Sequence, residues 1–88
     1  MLSIHAQKRM RQRGIPIAVV DMLLDIGRFE HLGGGAEIVY LDRAGRRVAK
    51  SLFREFGIRD CCLDAYLIHC SNGVVATIGH RYSPIKHH

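Results

Sequence analysis

Three side chains near the start of the chain have the types and the spacing that acid–base chemistry on an anion requires. His5, Arg9 and Arg13 recur at intervals of four residues, so on an α-helix they form one stripe that drifts by only about 80°. A histidine in the first turn of a helix is favoured in its neutral form, which can act as a general base, and guanidinium groups bind phosphate. A structural role fits the same residues: His5 hydrogen-bonds a neighbouring loop, and the arginines lie along apolar surface with their charges in water.

A second pairing of imidazole and guanidinium, His80 and Arg81, closes the last predicted strand. Consecutive strand residues point to opposite faces of a sheet, so both can join one site only through a twist or a bulge, which Gly79 permits. The structural alternatives are a cross-strand ion pair of Arg81 with Asp64, and a His80 ring that caps the edge of the core. A joint mechanism requires the His5 and His80 rings to lie about 6–9 Å apart, within reach of one phosphate.

Positive charge is concentrated in two segments of the chain. The sequence has 13 Lys and Arg against 8 Asp and Glu, which gives a net charge of +5. Residues 1–13 and residues 43–59 are basic, and the segment between them is acidic. Basic blocks are typical of nucleic-acid-binding proteins, although pairing with the acidic segment explains them equally well. The side chains suited to contact a phosphate backbone are Lys8, Arg46, Arg47, Lys50 and Arg54.

The sequence predicts no metal ion and no cofactor. Three cysteines, two of them adjacent (Cys61 and Cys62), make a poor disulfide framework and lack the two-residue spacer of common zinc sites. The glycine run at residues 33–35 is not followed by the lysine of a P-loop, so we interpret it as a turn or bulge before a strand. No apolar run approaches the roughly 18 residues that span a bilayer, and we expect a cytoplasmic protein without a membrane partner.

The elements that must position these residues form one domain over residues 1–88, in which His87 and His88 fit a tag remnant. Ser3 as N-cap and Gly14 as C-terminal residue predict a first helix over 4–13. A second, more apolar helix extends from Pro16 to Gly27. Residues 36–42 predict a strand, because β-branched and aromatic side chains follow one another there.

The second half of the chain contains one ambiguous segment and one clear hairpin. Residues 43–56 fit either a helix, with apolar residues every four positions, or a turn followed by a strand. We favour the helix, because the period holds through three intervals. Asn72-Gly73 predicts a two-residue loop between the last two strands, with paired residue numbers that sum to 145. The predicted fold is therefore α+β, an N-terminal helical hairpin packed on a small, mainly antiparallel sheet in the order α-α-β-α-β-β.

Two motifs resemble those of a known family. HAQKRMRQRGI, at residues 5–15, is similar to the H-A-x-x-R-M-x-x-R-G-I signature of a family of small bacterial domains of unknown function. VVATIGHRY, at residues 74–82, is similar to that family's last strand. The family is in turn distantly similar to RelE/ParE-type toxins and related small ribonucleases. The resemblance implies that the first helix and the last strand flank one RNA-cleaving site.

Two functions follow from these observations. The first is a metal-independent ribonuclease, a RelE-like toxin or its relic, with catalytic His5, Arg9, Arg13, His80 and Arg81. The second is a non-catalytic module that binds nucleic acid or an acidic partner protein such as an antitoxin. The second function needs the basic surface but no converging histidines.

Overall fold

The computed structural model describes residues 1–81. Its helices are α1 (Ile4–Arg13), α2 (Ile17–Ile26) and α3 (Arg43–Phe56), together with a 3₁₀ helix at Asp60–Asp64. Its strands are β1 (Arg28–Gly33), β2 (Ala36–Tyr40), β3 (Ala65–Cys70) and β4 (Val75–His80), which form one antiparallel sheet in the order β1-β2-β3-β4. The predicted α+β class, with two N-terminal helices followed by an antiparallel sheet, is confirmed. Tyr82, in the second motif, and His87 and His88 lie outside the described residues.

Helix α1 is fastened to β4 at its N-terminal end. The Ser3 hydroxyl accepts a hydrogen bond from the Ala6 amide (3.0 Å) and donates one to the Ala76 carbonyl (2.9 Å). The Ser3 amide donates to the Val75 carbonyl at 3.0 Å. Ala6 is fully buried, and Gly14 ends the helix in the left-handed conformation with φ 64°. As a result α1 lies along β4, with its basic C-terminal turn at the His80 end.

Residues 1–81 contain one strand more than the sequence indicated. Residues 28–33 form β1, which pairs with β2 so that Phe29 lies opposite Val39. The glycine run makes the hairpin turn between the two strands, and all three glycines have positive φ. The observed order is therefore α-α-β-β-α-β-β. Pairing with β2 decides the conformation of β1, and the alternation of residues 28–33 is too weak to show it.

Helix α3 confirms the helical interpretation of residues 43–56. The Asp42 carboxylate caps it by accepting a hydrogen bond from the Gly45 amide at 2.8 Å. The residues that the helix buries are Gly45, Ala49 and Phe53, one position along from the apolar series that suggested the helix. Consequently Phe56, a member of that series, is 67% exposed.

The last hairpin has the predicted register over most of its length. Ala65 pairs with His80 and Leu67 with Ile78, as a sum of 145 requires. The loop, however, has three residues, because the Gly73 amide donates to the Cys70 carbonyl (2.9 Å) and Gly73 has φ 84°. The register shifts by one residue between this loop and the middle of the strands. The shift turns Val75 into the core, where it is 2% exposed, whereas an unbroken sum of 145 would place Val75 on the opposite face.

One core joins the three α-helices, the 3₁₀ helix and strands β2, β3 and β4. Val19, Val20 and Leu23 of α2 pack with Val39 and Leu67 of the sheet, and the same cluster includes Ala6, Phe53 and Ile78. Among residues 1–81, no helix has both the length and the apolar character needed to cross a bilayer. The helices thus cover one face of the sheet, and the end of β4 reaches the edge of that core beside α1.

Candidate functional site

His80 occupies the junction of α1, the 3₁₀ helix and the end of β4. Its pairing with Ala65 and the alternation of β4 place the ring on the same face of the sheet as the buried Ile78. The residue is half-buried, and its Nε2 atom is shielded from solvent. Burial lowers the pKa of His80, and the positive charge of Arg13 lowers it further. The negative charge of Asp64 raises this pKa by less, and the positive charge of Arg59 lowers it slightly. The neutral imidazole is therefore the favoured form at this junction.

Two guanidinium groups from different elements act electrostatically on this ring. Arg13 lies in the last turn of α1, and Arg59 is the N-cap residue of the 3₁₀ helix. The Arg59 side chain crosses to the end of α1, where a methyl group placed on Gly14 would come within 2.7 Å of its Nη2 atom. The carboxylate that acts on the ring, Asp64, is paired with Arg46 at 2.8 Å. The junction is consequently a place where positive charge dominates and an anion is attracted.

Arg9 lies on the same helix, one turn before Arg13, and is half-buried. Its Nε atom is buried without a hydrogen-bond partner among the described residues. A buried donor without a partner costs about 1–3 kcal/mol of folding free energy. A bound water or a functional role usually explains why a protein keeps such a group. Arg9 therefore lies at the edge of the core, where the sequence predicted the whole stripe, whereas His5 and Arg13 are exposed.

His5 does not join this junction. It is exposed in the first turn of α1, at the end that is fastened to the start of β4. Eight residues separate it from Arg13, which corresponds to about 12 Å along a helix axis. The charged groups that shift the pKa of His80 are Arg13, Asp64 and Arg59. The geometry thus brings Arg13 and His80 together and leaves His5 apart.

Arg81 lies on the opposite face of the sheet. Its Cζ atom lies 5.9 Å from the centre of the Tyr40 ring, a cation–π distance. Its backbone amide donates to the Asp64 carbonyl at 2.7 Å, but the Asp64 carboxylate pairs with Arg46. The cross-strand ion pair considered for Arg81 is therefore replaced by these contacts.

The predicted phosphate-contacting cations divide into two groups. Arg46 has a structural role, because its Nη1 atom donates to the Leu63 carbonyl (2.9 Å) and to the Asp64 carboxylate (2.8 Å). The remaining four are exposed: Lys8, Arg47, Lys50 and Arg54. These four are free to contact a polyanion, whereas Arg46 fastens α3 to the 3₁₀ helix.

Two thiols also reach the junction, which the spacing along the chain concealed. The ligand atoms of Cys61, Cys62 and His80 all lie within 4.8 Å of one another. Burial raises the pKa of Cys62 to about 11, with a further contribution from Cys61. Within residues 1–81 this is the one group of three such side chains arranged to hold a metal ion. The pairing of β3 with β4 brings these distant residues together.

An open groove of about 800 Å³ shares Arg59 and Cys62 with this junction. Apolar side chains of Met10, Ile15 and Phe56 line it, together with the cations Arg11 and Arg59. Since Phe56 ends α3, the C-terminal turn of α3 lies on the same side of the molecule as the C-terminal half of α1. Arg59 was absent from the predicted site, and its place in the basic segment 43–59 was the only signal for it.

Comparison with known proteins adds no relative: no family model, no curated protein and no solved structure matches the chain. The fold and the site define a small basic α+β domain with an electropositive junction.

Proposed function

We propose that the protein is a nucleic-acid-binding domain that holds an RNA phosphate between Arg13 and Arg59, beside the His80 ring. The observation that carries this proposal is that the Arg59 guanidinium lies against Gly14, the residue that follows Arg13 at the end of α1. Both arginines also lower the pKa of the neighbouring His80. Guanidinium groups form paired hydrogen bonds with phosphate oxygens, and such contacts supply most of the sequence-independent affinity for nucleic acids. RNA is the ligand that the resemblance to RelE/ParE toxins implies, and a role on RNA would place the protein in the cytoplasm.

The exposed cations supply the rest of the interface in this proposal. Arg54 is in the last turn of α3, next to the Phe56 that lines the groove. A single strand that passes over the junction would therefore continue along this side of the molecule. An acidic partner protein, including an antitoxin, would compete for the same arginines.

A second candidate is a metal-independent ribonuclease, and the position of His80 beside two arginines favours it. In that reaction the imidazole takes the proton of a ribose 2′-hydroxyl, and the 2′-oxygen forms a bond to the adjacent phosphorus. The bond from phosphorus to the 5′-oxygen breaks, and the leaving oxygen takes a proton from water. The products are a 2′,3′-cyclic phosphate and a 5′-hydroxyl. Arg13 and Arg59 would stabilise the charge that develops on the phosphoryl oxygens.

The test compares two double variants that remove the same amount of charge. Arg13→Gln/Arg59→Gln changes the junction, and Arg28→Gln/Arg43→Gln changes two exposed arginines elsewhere. Binding of a fluorescent single-stranded RNA is measured by anisotropy over a range of salt concentrations. We expect the junction variant to lose about 0.7 from the slope of log K against log salt, because the two arginines share one phosphate and each single-strand phosphate contact contributes about 0.7.

The control variant is expected to keep the wild-type slope. Equal losses in both variants, or no binding by the wild type at low salt, would contradict a phosphate site at the junction. Cleavage is followed on the same RNA by detection of the cyclic phosphate. Cleavage that His80→Gln abolishes would establish the second candidate, whereas binding without cleavage would leave only the first.

A further inference from the structure

We propose that Cys61, Cys62 and His80 form a binding site for a zinc ion. Their ligand atoms already lie within 4.8 Å of one another. In a tetrahedral site with Zn–S and Zn–N bonds of about 2.3 and 2.0 Å, ligand atoms lie about 3.5–3.8 Å apart. A closure of about 1 Å, within reach of small side-chain rotations, would complete the site.

The donor atoms select the class of metal. Two thiolates and one imidazole suit a borderline-soft ion such as Zn²⁺, whereas Ca²⁺ and Mg²⁺ require oxygen ligands. Two thiolates would neutralise the charge of a divalent ion, so the loaded site would add no net charge beside Arg13 and Arg59. With three protein ligands, the fourth position would be open to water.

The scaffold holds the three ligands in register before any ion arrives. The Arg81 amide donates to the Asp64 carbonyl at 2.7 Å, which ties the end of the 3₁₀ helix to the end of β4. Arg46 fastens the same helix to α3 through the Leu63 carbonyl. Cys62 is 1% exposed and Cys61 is exposed, so an ion has access from the Cys61 side. Rigid support of this kind is what a specific metal site requires.

The site goes beyond the proposed function and does not depend on it. A zinc ion on the His80 nitrogen would prevent that ring from accepting a proton, so zinc binding and cleavage by His80 exclude each other. Binding of phosphate by Arg13 and Arg59 is compatible with either state. Failure of the RNA experiments therefore leaves the zinc site intact as an inference. Failure of the metal experiments likewise leaves the proposed RNA site intact.

The test uses the full chain, reduced and treated with a chelator, and Co²⁺ as a spectroscopic probe for zinc. We expect one Co²⁺ per chain, with a thiolate-to-cobalt charge-transfer band that Zn²⁺ abolishes on displacement. Cys61→Ser should weaken Co²⁺ binding by more than about 100-fold, since loss of a mere outer-shell contact already costs 10–100-fold. Cys61 is exposed, so this change disturbs the packing least.

Three further variants make the result decisive. Cys70→Ser is the matched control, because Cys70 lies at the other end of β3 from Ala65, the partner of His80. His80→Gln removes the ligand from β4 and tests the site independently of the thiols. His87→Ala/His88→Ala removes the terminal histidines, which lie outside the described residues. Equal Co²⁺ affinity of Cys61→Ser and Cys70→Ser, or loss of binding only in the terminal variant, would overturn the proposal.

Discussion

Replacement of Arg46 by methionine should destabilise the fold. The loss of RNA affinity should be no larger for Arg46→Met than for Arg47→Met. Arg46 was predicted to contact nucleic acid, but its Nη1 atom donates to the Leu63 carbonyl and the Asp64 carboxylate. Methionine keeps the aliphatic part of the side chain and removes only the guanidinium group. The change therefore isolates the two hydrogen bonds that join α3 to the 3₁₀ helix.

The expected loss can be divided between these two contacts. The Arg46 and Asp64 side chains are 42% and 47% exposed, so water screens the ion pair and its contribution is only about 0.5 kcal/mol. Leu63 is 5% exposed, and loss of the donor to its carbonyl should cost about 1 kcal/mol. A total of about 1.5 kcal/mol corresponds to a fall in melting temperature of about 6–12 °C for a domain of this size.

The assay is thermal unfolding of the wild type, Arg46→Met, Asp64→Asn and the exposed neighbour control Arg47→Met. Asp64→Asn removes the ion pair alone and should cost about a third of the Arg46→Met effect. Arg47→Met should stay within about 0.5 kcal/mol of the wild type, as surface substitutions usually do. Equal melting temperatures for Arg46→Met and Arg47→Met would refute the structural role of Arg46.

Two further predictions concern the fastening of α1 and the open face of the sheet. Ser3→Ala removes both the cap of α1 and the bond to the Ala76 carbonyl, and should lower the free energy of unfolding by about 1–2 kcal/mol in a denaturant titration. Burial first, and then the hydrogen bond to Glu30 (2.5 Å), raise the pKa of Tyr40 above its usual value of 10.0. The folded state then keeps a proton that the unfolded chain loses, so this stabilisation is complete below pH 10 and disappears as pH rises further. The stability difference between the wild type and Tyr40→Phe should narrow above pH 10, and a constant difference would contradict this assignment.

The helices were predictable because their signals are local. Ser3 and Gly14 mark the two ends of α1, and Asp42 and Gly57 mark the two ends of α3. The hydrogen bonds and φ angles that end these helices involve only neighbouring residues. The register of most of the last hairpin followed for the same reason. Strand β1 and the shift of Val75 into the core were missed, because pairing and packing with distant residues decide them.

The site shows the same division between local and distant effects. The spacing of the stripe places Arg9 and Arg13 on one side of α1. It does not determine which end of α1 lies beside the His80 end of β4. The bonds from Ser3 to the start of β4 decide that, and they leave His5 at the far end from His80.

The sequence by itself determined the α+β class, the caps of α1 and α3, most of the hairpin register and the concentration of positive charge in two segments. These properties depend on residues close together in the chain, or on composition alone. Only the tertiary structure decided that Arg13, Arg59 and His80 share a junction with Cys61 and Cys62. The physical reason is that the packing of α1 along β4, and the pairing of β3 with β4, bring together residues that no local pattern connects.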